Sequence, residues 1–321
     1  MRVVEVKEFG GPEVLAVREA PDPVAGPGQV VIGSAAADTM FVETRIRAGR
    51  ARAFFDTTPP YVPGGGGAGA VIGAGPGVDP AWIGRRVVAS VGNGGYAERL
   101  AAPLENVLPV PDGLGLDDAA ALLHDGVTAL CVFEGVFEGG AVKDGGTVLV
   151  VGATGGMGVL LVQLAHARGA RVVAAARGAR KLELARDLGA DVVLDYAEPG
   201  WADEISGQAD VVFDGVGAGI GLAAFKAAKD DGTFSAHGAT MGGFTAVDAD
   251  DAARRGVTLR GIQDVQIAKT ERMRLLGDAL AKAAEGVFKP VIGQTFPLEN
   301  AAEAHTAIEN RTVVGKTLLL P

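Results

Sequence analysis

The chain has 321 residues, of which 48% are hydrophobic and 21% charged, the balance of a globular protein long enough for two domains. Its 39 acidic residues outnumber 29 basic ones, and the net charge of −10 argues against a nucleic-acid partner, which needs a concentrated basic face. Because the chain has one cysteine, Cys131, and no apolar run approaching the roughly 20 residues of a membrane helix, we expect a cytoplasmic protein without an internal disulfide or a membrane span.

The first zone of the sequence, up to about residue 124, alternates like a series of short strands. The predicted strands, which glycine and proline separate, are Val3–Val6, Val14–Val17, Gln29–Ser34, Arg86–Ser90 and Tyr96–Ala101. A glycine run at Gly64–Gly67 interrupts the zone, and strand-like residues follow it at once. We therefore expect a β-rich region here.

The second zone alternates strands and helices, which predicts a parallel sheet with helices on both faces. Its predicted strands are Thr147–Val151, Arg171–Ala176, Asp191–Leu194, Asp210–Phe213, Gly232–Ala236 and Val257–Gly261. Its predicted helices are Met157–Arg168, Ala179–Leu188, Pro199–Ile205 and a helix around Ile220–Lys229. A third zone follows, with a helix near Thr270–Glu285, a helix at Leu298–Asn310 and a last strand, Lys316–Leu320.

A glycine-rich loop joins the strand Thr147–Val151 to the helix that follows it. Its glycines are Gly152, Gly155, Gly156 and Gly158. Such glycines let the backbone approach a pyrophosphate, whose charge meets the free N–H groups at the helix start. These turns also occur at purely structural junctions, but here the following βαβ rhythm is in place. We therefore predict a dinucleotide site. A triphosphatase loop is excluded, since no Gly-Lys-Ser/Thr follows Gly158.

The end of the second strand of this zone predicts which dinucleotide is bound. An NAD site usually has Asp or Glu there, on the ribose 2′-hydroxyl. Here Ala176 is followed by Arg177, with Arg180 and Lys181 close behind, and cations suit a 2′-phosphate. The alternative is a solvated helix start, but cations are disfavoured at the positive end of a helix unless an anion offsets them. The sequence therefore favours NADPH.

The loop Gly152-Ala-Thr-Gly-Gly-Met-Gly158 resembles the cofactor loop of the zinc-free quinone oxidoreductases, the branch of the medium-chain dehydrogenase/reductase superfamily that includes zeta-crystallin. Further matching segments are Phe9–Leu15, Phe41–Gly49, Pro60–Gly64, Lys181–Ala185, Leu188–Ala190, Asp214–Gly217, Lys289–Gly293 and Phe296–His305. The resemblance implies an α/β protein with a GroES-like β-rich catalytic domain, residues 1–124 and 265–321. It also implies a Rossmann doubly wound parallel-sheet domain, residues 125–264, with NADPH in the cleft, and a homodimer or homotetramer.

The resemblance also implies roles for individual residues. Those expected along the pyrophosphate are Gly155, Gly156, Met157 and Gly158. Those expected at the 2′-phosphate are Lys181, Tyr196 and, in this chain, Arg177. Those expected to border the adenosine and the nicotinamide ribose are Val216, Gly217, Ala236, His237 and Gly238. Thr128 is expected to face the nicotinamide, and the imidazole of His237 to be solvated.

Zinc is not expected, although the alcohol dehydrogenase branch uses it. That branch has Cys at the position of Met40 and His-Glu within the run Pro63–Gly67, and both are absent here. Cys131 lies in an apolar helical stretch, where a buried core residue is expected. His166 and His305 lie on predicted helices, which we expect to be far from these loops. Three protein ligands therefore cannot be assembled.

The segment after Gly49 departs from the family. Relatives commonly have Asn at the position of Met40 and a Tyr shortly after Gly49. This chain has Phe54, Phe55 and Tyr61 instead, which either cover the nicotinamide or pack the loop. The acidic residue usual near Gly66–Gly67 is also absent, so we expect a more apolar and roomier pocket, in which quinone specificity is not assured.

Hydride transfer needs NADPH held against an electrophilic carbon with water excluded. The candidate proton donors or polarising groups are Thr128, His124, Tyr61, Asp38 and Asp125, although Asp125 is interpreted as the N-cap of a helix over Val127–Phe133. We expect reduction of a small-molecule quinone or α,β-unsaturated carbonyl. The alternatives are an enoyl-thioester or biosynthetic tailoring reductase, and an NADPH-binding structural or RNA-binding protein. The charge of −10 and the intact glycine loop argue against the last.

Overall fold

The computed structural model describes residues 1–137, 142 and 145–321, and the chain divides into two compact units. Unit 1 comprises Met1–His124, Leu276–Glu285 and Pro290–Pro321. Unit 2 comprises Asp125–Leu275 and Gly286–Lys289. The domain boundary that the sequence places between residues 264 and 265 stays a prediction, and unit 2 continues past it to Leu275.

The secondary structure of the described residues is mixed. The strands are β1 (Arg2–Val6), β2 (Leu15–Glu19), β3 (Gln29–Asp38), β4 (Gly66–Ala74), β5 (Arg86–Ser90), β6 (Arg99–Pro103), β7 (Val107–Pro109), β8 (Thr147–Val151), β9 (Arg171–Ala176), β10 (Val192–Asp195), β11 (Ala209–Asp214), β12 (Ala228–Ala236), β13 (Thr258–Gly261), β14 (Ile292–Pro297) and β15 (Lys316–Leu320). The helices are α1 (Phe41–Arg47), α2 (Leu116–Phe137), α3 (Gly156–Ala167), α4 (Ala179–Asp187), α5 (Ala218–Phe225), α6 (Ala249–Arg254), α7 (Lys269–Ala284) and α8 (Ala301–Glu309).

Unit 2 is built on a parallel sheet with the strand order β10-β9-β8-β11-β12-β13. Every residue of β8 is buried, as expected for a central parallel strand covered on both faces. Counted within the unit, the order is 3-2-1-4-5-6, the arrangement of dinucleotide-binding doubly wound folds. The predicted doubly wound parallel sheet is confirmed.

Unit 1 contains a seven-stranded sheet in the order β14-β15-β3-β4-β5-β7, with β6 on β3, and a separate β1-β2 pair. The longest strand, β3, pairs with β4, β6 and β15. The predicted strand stopped at Ser34, but buried Ala36 and Ala37 pair with β4 and extend it to Asp38. The sequence indicated strand-like residues after Gly67, but the start of β4 was not predicted because it is rich in glycine. A Cβ at Gly67 would collide with the carbonyl of Ala36, so the close pairing itself requires glycine.

Three helical predictions are wrong. Asp125 is not an N-cap, because α2 runs without a break from Leu116 and has buried Gly126 in its interior. Of the helix predicted at Pro199–Ile205, only a 3-10 turn at Asp203–Ile205 forms. Helix α5 ends at Phe225, because buried Ala228 already begins β12.

Helix α2 also contradicts the expectation about apolar segments. It is long and apolar enough to cross a membrane by length and composition, the one such helix among the described residues. In the protein, 61% of its most apolar stretch is buried, as in a core helix. Length and composition alone are therefore weak grounds for a span.

A chain of buried polar side chains crosses unit 1. The Tyr96 hydroxyl donates to Glu43 Oε2 at 2.7 Å and lies 2.9 Å from His305 Nε2. On the other side of the imidazole, Arg47 donates to His305 Nδ1 at 3.3 Å and to Glu309 at 2.5 Å. Since a hydroxyl has one proton, Tyr96 accepts from Nε2–H of His305. Burial, followed by the nearby Arg47, lowers the pKa of His305 to about 3, so the imidazole is neutral.

Replacing Tyr96 with Phe should lower the free energy of unfolding by about 1–3 kcal/mol, because Glu43 and His305 each lose a buried hydrogen-bond partner. The matched control is Tyr61→Phe. The Tyr61 hydroxyl is buried and has no hydrogen-bond partner among the described residues, so its removal should leave stability unchanged or raise it. Urea unfolding measures both, and equal losses in the two variants would contradict the assignment.

Candidate cofactor and active site

The glycine loop between β8 and α3 has one open and one crowded position. Gly152 has a φ of +78°, which only glycine adopts readily, and Gly155 is the N-cap of α3. A Cβ at Gly155 would meet only the Gly152 carbonyl, at 3.5 Å, which leaves space in front of the helix. A Cβ at Gly158 would collide with that carbonyl and lie 2.9 Å from Cα of Ala153. Gly158 thus allows close packing, and Gly155 leaves room for a ligand.

The loops after β11 and β12 meet those glycines at the carboxyl edge of the sheet. The buried Asp214 carboxylate accepts from the N–H groups of Val216 and Gly217, at 3.0 and 2.9 Å. A Cβ at Gly217 would lie 2.8 Å from the Gly238 carbonyl, so the two loops touch backbone to backbone. A Cβ at Gly152 would come within 3.0 Å of Val216. The structure therefore brings the predicted residues after β8, β11 and β12 together.

His237 is not solvated, contrary to expectation. It is 7% exposed, and its Nδ1 lies 3.5 Å from the Ser235 hydroxyl. Burial lowers its pKa to about 4, against the opposing effect of Asp214, so the imidazole is neutral. A buried neutral ring here leaves the backbone of Ala236–Gly238 as the part of this loop that a ligand can contact.

The cations predicted at the 2′-phosphate lie at the ends of β9 and β10. Ala176 and Asp195 are register partners, and the Tyr196 N–H donates to the Ala176 carbonyl at 3.1 Å. Exposed Arg177 and half-buried Tyr196 therefore follow neighbouring strand ends, and Lys181 lies on the first turn of α4. Asp195 was missed from the sequence, and its carboxylate accepts from the Gly178 N–H at 2.9 Å. This carboxylate is an anion at the start of α4. It can therefore offset the cations there without a bound phosphate.

In unit 1, a carboxylate at the end of β3 joins two basic side chains. His124 Nδ1 lies 2.5 Å from Asp38 Oδ2. The Lys316 ammonium forms an ion pair with Asp38 Oδ1, without a hydrogen bond of regular geometry. Burial raises the pKa of Asp38, but Lys316 and His124 outweigh it and hold the pKa below its usual value. Lys316 was missed from the sequence, although a lysine that begins an apolar strand is an unusual residue for a buried position.

The imidazole of His124 lies against the glycine run. A Cβ at Gly65 would be 2.6 Å from its Cε1, 2.9 Å from its Nε2 and 3.4 Å from Met40 Cε. Glu43 fixes both neighbours, because its carboxylate accepts from the N–H of Gly65 at 3.2 Å and of Met40 at 2.9 Å. Burial raises the pKa of Glu43. Glu43 and His124 contact this run directly, and Asp38 contacts His124, so polar side chains lie beside it; the more apolar and roomier pocket stays a prediction.

His305 is also closer to these loops than predicted. Its partner Tyr96 hydrogen-bonds through its backbone to Pro63 at 2.9 Å and through its hydroxyl to Glu43. His305 is therefore one side chain away from the run Pro63–Gly67, not far from it. Among the described residues no group of three His, Cys, Asp or Glu side chains could hold a metal ion.

The remaining residues singled out from the sequence are Tyr61, Phe54, Phe55, Thr128 and Cys131. Tyr61 pairs through its backbone with Val6, and burial raises the pKa of its hydroxyl to about 12. Phe54 is 73% exposed and Phe55 40%, which contradicts the loop-packing alternative for Phe54. Thr128, half-buried in unit 2, lies one helical turn after His124 on α2. Cys131 is half-buried, not a core residue.

The two loop glycines should respond differently to a methyl group. Gly158→Ala should lower the free energy of unfolding by about 1–3 kcal/mol, because the Cβ overlaps the backbone of the loop. Gly155→Ala, the matched control in the same loop, should change it by less than about 1 kcal/mol, since its Cβ enters open space. Chemical denaturation measures both, and a Gly158→Ala variant as stable as the parent would refute the packing role.

Two family models match the chain. A model of the alcohol dehydrogenase GroES-like domain matches residues 26–112, and one described as zinc-binding dehydrogenase matches residues 188–319. Together with the two sheets, these matches confirm the predicted fold class, a GroES-like β-rich domain with a Rossmann sheet.

Relatives of known activity match over nearly their full length. The quinone oxidoreductase of Mus musculus is 32% identical, covering 100% of this chain and 98% of that protein. A 2-haloacrylate reductase of Burkholderia is also 32% identical, covering 98% of each. The solved structure of a mycobacterial protein complexed with NADPH is 34% identical, with a TM-score of 0.89 over 100% of both chains. The chain belongs to the quinone oxidoreductase family of the medium-chain dehydrogenase/reductase superfamily, and the resemblance predicted from its motifs is confirmed.

Proposed function

We propose that this protein is an oxidoreductase that transfers hydride from NADPH to a quinone or an α,β-unsaturated carbonyl, without zinc. The observation that carries the proposal is the open position at Gly155, in front of the N-terminus of α3 at the carboxyl edge of a 3-2-1-4-5-6 sheet. A Cβ there would fill a space that suits a pyrophosphate. The mycobacterial structure, which is complexed with NADPH, supports the same assignment.

The residues of unit 2 fit NADPH in three places. The loop Gly155–Gly158 binds the pyrophosphate through backbone N–H groups at the start of α3. Arg177, Lys181 and Tyr196 bind the 2′-phosphate, for which exposed Arg177 after β9 and half-buried Lys181 on the first turn of α4 are suited. The remaining contacts, to the adenosine and the nicotinamide ribose, belong to Val216, Gly217, Ala236, His237 and Gly238. Bound NADPH supplies the hydride, and Thr128 contacts its nicotinamide.

His124 is the proton donor of the proposed reaction. Reduction of a conjugated carbonyl adds a proton as well as a hydride, and an imidazole titrates in the range in which enzymes work. Asp38 orients the ring through Nδ1, which leaves Nε2 to serve a substrate oxygen. The Tyr61 hydroxyl, whose pKa is raised to about 12, is a weaker acid and is assigned to substrate contact.

The zinc-free proposal rests on two neighbouring positions. Met40 and the run Pro63–Gly67 stand where the zinc-dependent branch has its cysteine and its His-Glu pair, and Met40 Cε lies 3.4 Å from where a Gly65 Cβ would be. Neither supplies the thiolate or imidazole that zinc prefers. The space of a side chain at position 65 is taken by His124. The homodimer or homotetramer and the cytoplasmic location stay predictions.

The acceptor is tested by NADPH oxidation with a naphthoquinone, a short enone and a crotonyl thioester in parallel, before and after chelation. We expect turnover of the quinone or the enone, unchanged by chelation. The similarity to a protein named 2-haloacrylate reductase supports the expectation of a conjugated acceptor. Turnover of the thioester alone would instead identify an enoyl-thioester reductase. Absence of turnover with tight NADPH binding would point to a non-catalytic role, and loss of activity with stoichiometric zinc would refute the zinc-free assignment.

Cofactor choice is tested by removing two cations. Arg177→Ala with Lys181→Ala should weaken NADPH binding on the order of 10- to 1000-fold and leave NADH binding nearly unchanged, because only the 2′-phosphate loses partners. The matched control is Arg168→Ala with Arg186→Ala, two exposed cations of the same unit. Calorimetry in low and high salt measures both. Equal loss of NADPH and NADH affinity would mean that these cations form only a solvated helix start.

A further inference from the structure

The cluster of Asp38, His124 and Lys316 contains a buried cation that the proposed reaction does not use. Lys316 is 4% exposed, and the Asp38 side chain is completely buried. Lys316 is the first residue of β15, which pairs with β3 so that Leu318 lies opposite Asp38. Since residues two apart on a strand share a face, Lys316 reaches the same carboxylate and contacts Oδ1, the oxygen that His124 does not contact. The two oxygens of Asp38 therefore contact different basic side chains, His124 and Lys316.

Charge balance decides what this arrangement does to His124. With Asp38 ionised and Lys316 protonated, the pair is neutral, and protonating His124 adds a second positive charge beside it. Among the described residues, the carboxyl of Glu43 on α1 also interacts electrostatically with His124, and burial raises its pKa. Asp125 follows His124 on α2 itself, and the glycine run that touches the ring has no charged side chain. Without Lys316, Asp38 would attract the imidazolium with a full unshared charge.

We infer that Lys316 is a positioning residue for His124: its ammonium shares the Asp38 carboxylate with the imidazole and so limits how strongly that carboxylate retains the His124 proton. A histidine beside an unshared buried carboxylate stays protonated and donates poorly. A histidine that releases and regains its proton near the working pH is the better general acid. Lys316 thus keeps the ring oriented by Asp38 without fixing its charge. This inference rests on the proposed role of His124.

The test is Lys316→Met, which removes the charge and keeps the length of the side chain. The midpoint of the His124 titration, followed by NMR of the labelled imidazole in the full chain, should rise by at least about one pH unit. Asp38→Asn should lower it. Lys316→Arg should restore the wild-type midpoint, and Lys7→Met, an exposed lysine of the same unit, should not move it. A folded Lys316→Met protein with an unchanged or lower midpoint would overturn the inference.

The pH dependence of kcat separates this inference from the proposed function. A general acid is active while protonated, so the rate falls as pH rises through its pKa. In Lys316→Met the fall should move to higher pH by the same amount as the NMR midpoint. If the NMR midpoint rises and the rate profile does not follow, Lys316 controls His124 as inferred, and His124 is not the proton donor. If neither moves, the inference about Lys316 is wrong.

Discussion

Within each unit, some backbone segments pack so closely against one another that a single added Cβ would force them apart. In unit 1, this contact pairs the start of β4 with the end of β3 and places Gly65 against His124. In unit 2, it packs the start of α3 onto its own loop at Gly158 and joins the loop of Gly217 to that of Gly238. The candidate functional residues lie at these contacts, because a glycine without a side chain also leaves space for a ligand or an imidazole.

The second constraint is the burial of charge in unit 1. Two carboxylates, Asp38 and Glu43, lie near His124, and the protein treats them differently. Asp38 is ionised between two bases, whereas burial favours the protonated form of Glu43, whose oxygens accept from backbone N–H groups and Tyr96. One carboxylate thus acts on the charge of the imidazole, and the other holds the backbone on which it rests. Removing the partner of a buried charge would leave that charge unpaired, which lowers the stability of the folded protein.

The sequence predicted what depends on local pattern. Strands β8, β9 and β15 were predicted to the residue, because an apolar run bounded by glycine or a charged residue is a strong signal. The glycine loop and the cations after β9 were found for the same reason. Local pattern failed at α2, where packing keeps a helix continuous through Gly126, and at β4, where glycine conceals a strand. It also failed to show that the His237 ring is buried.

The active-site candidates of unit 1 were predicted only singly. His124 and Asp38 were each considered as proton donors, but nothing in the sequence joins them to each other or to Lys316, which lies near the other end of the chain. Tyr96 and His305, which are 209 residues apart, meet for the same reason: the sheet brings β15 and α8 back to β3. Contacts between distant segments have no local sequence pattern. Lys316 at the start of an apolar strand and Tyr96 after two glycines are nevertheless unusual enough to be noticed.

The proposed function depends on direct hydride transfer from NADPH to a conjugated carbon, with His124 as the proton donor. This transfer can be followed with NADPH carrying deuterium at the transferable position of C4, an α,β-unsaturated ketone and mass spectrometry of the product. We expect one deuterium at the β-carbon and an unlabelled proton at the α-carbon. A reduced product without deuterium at the β-carbon would contradict direct hydride transfer.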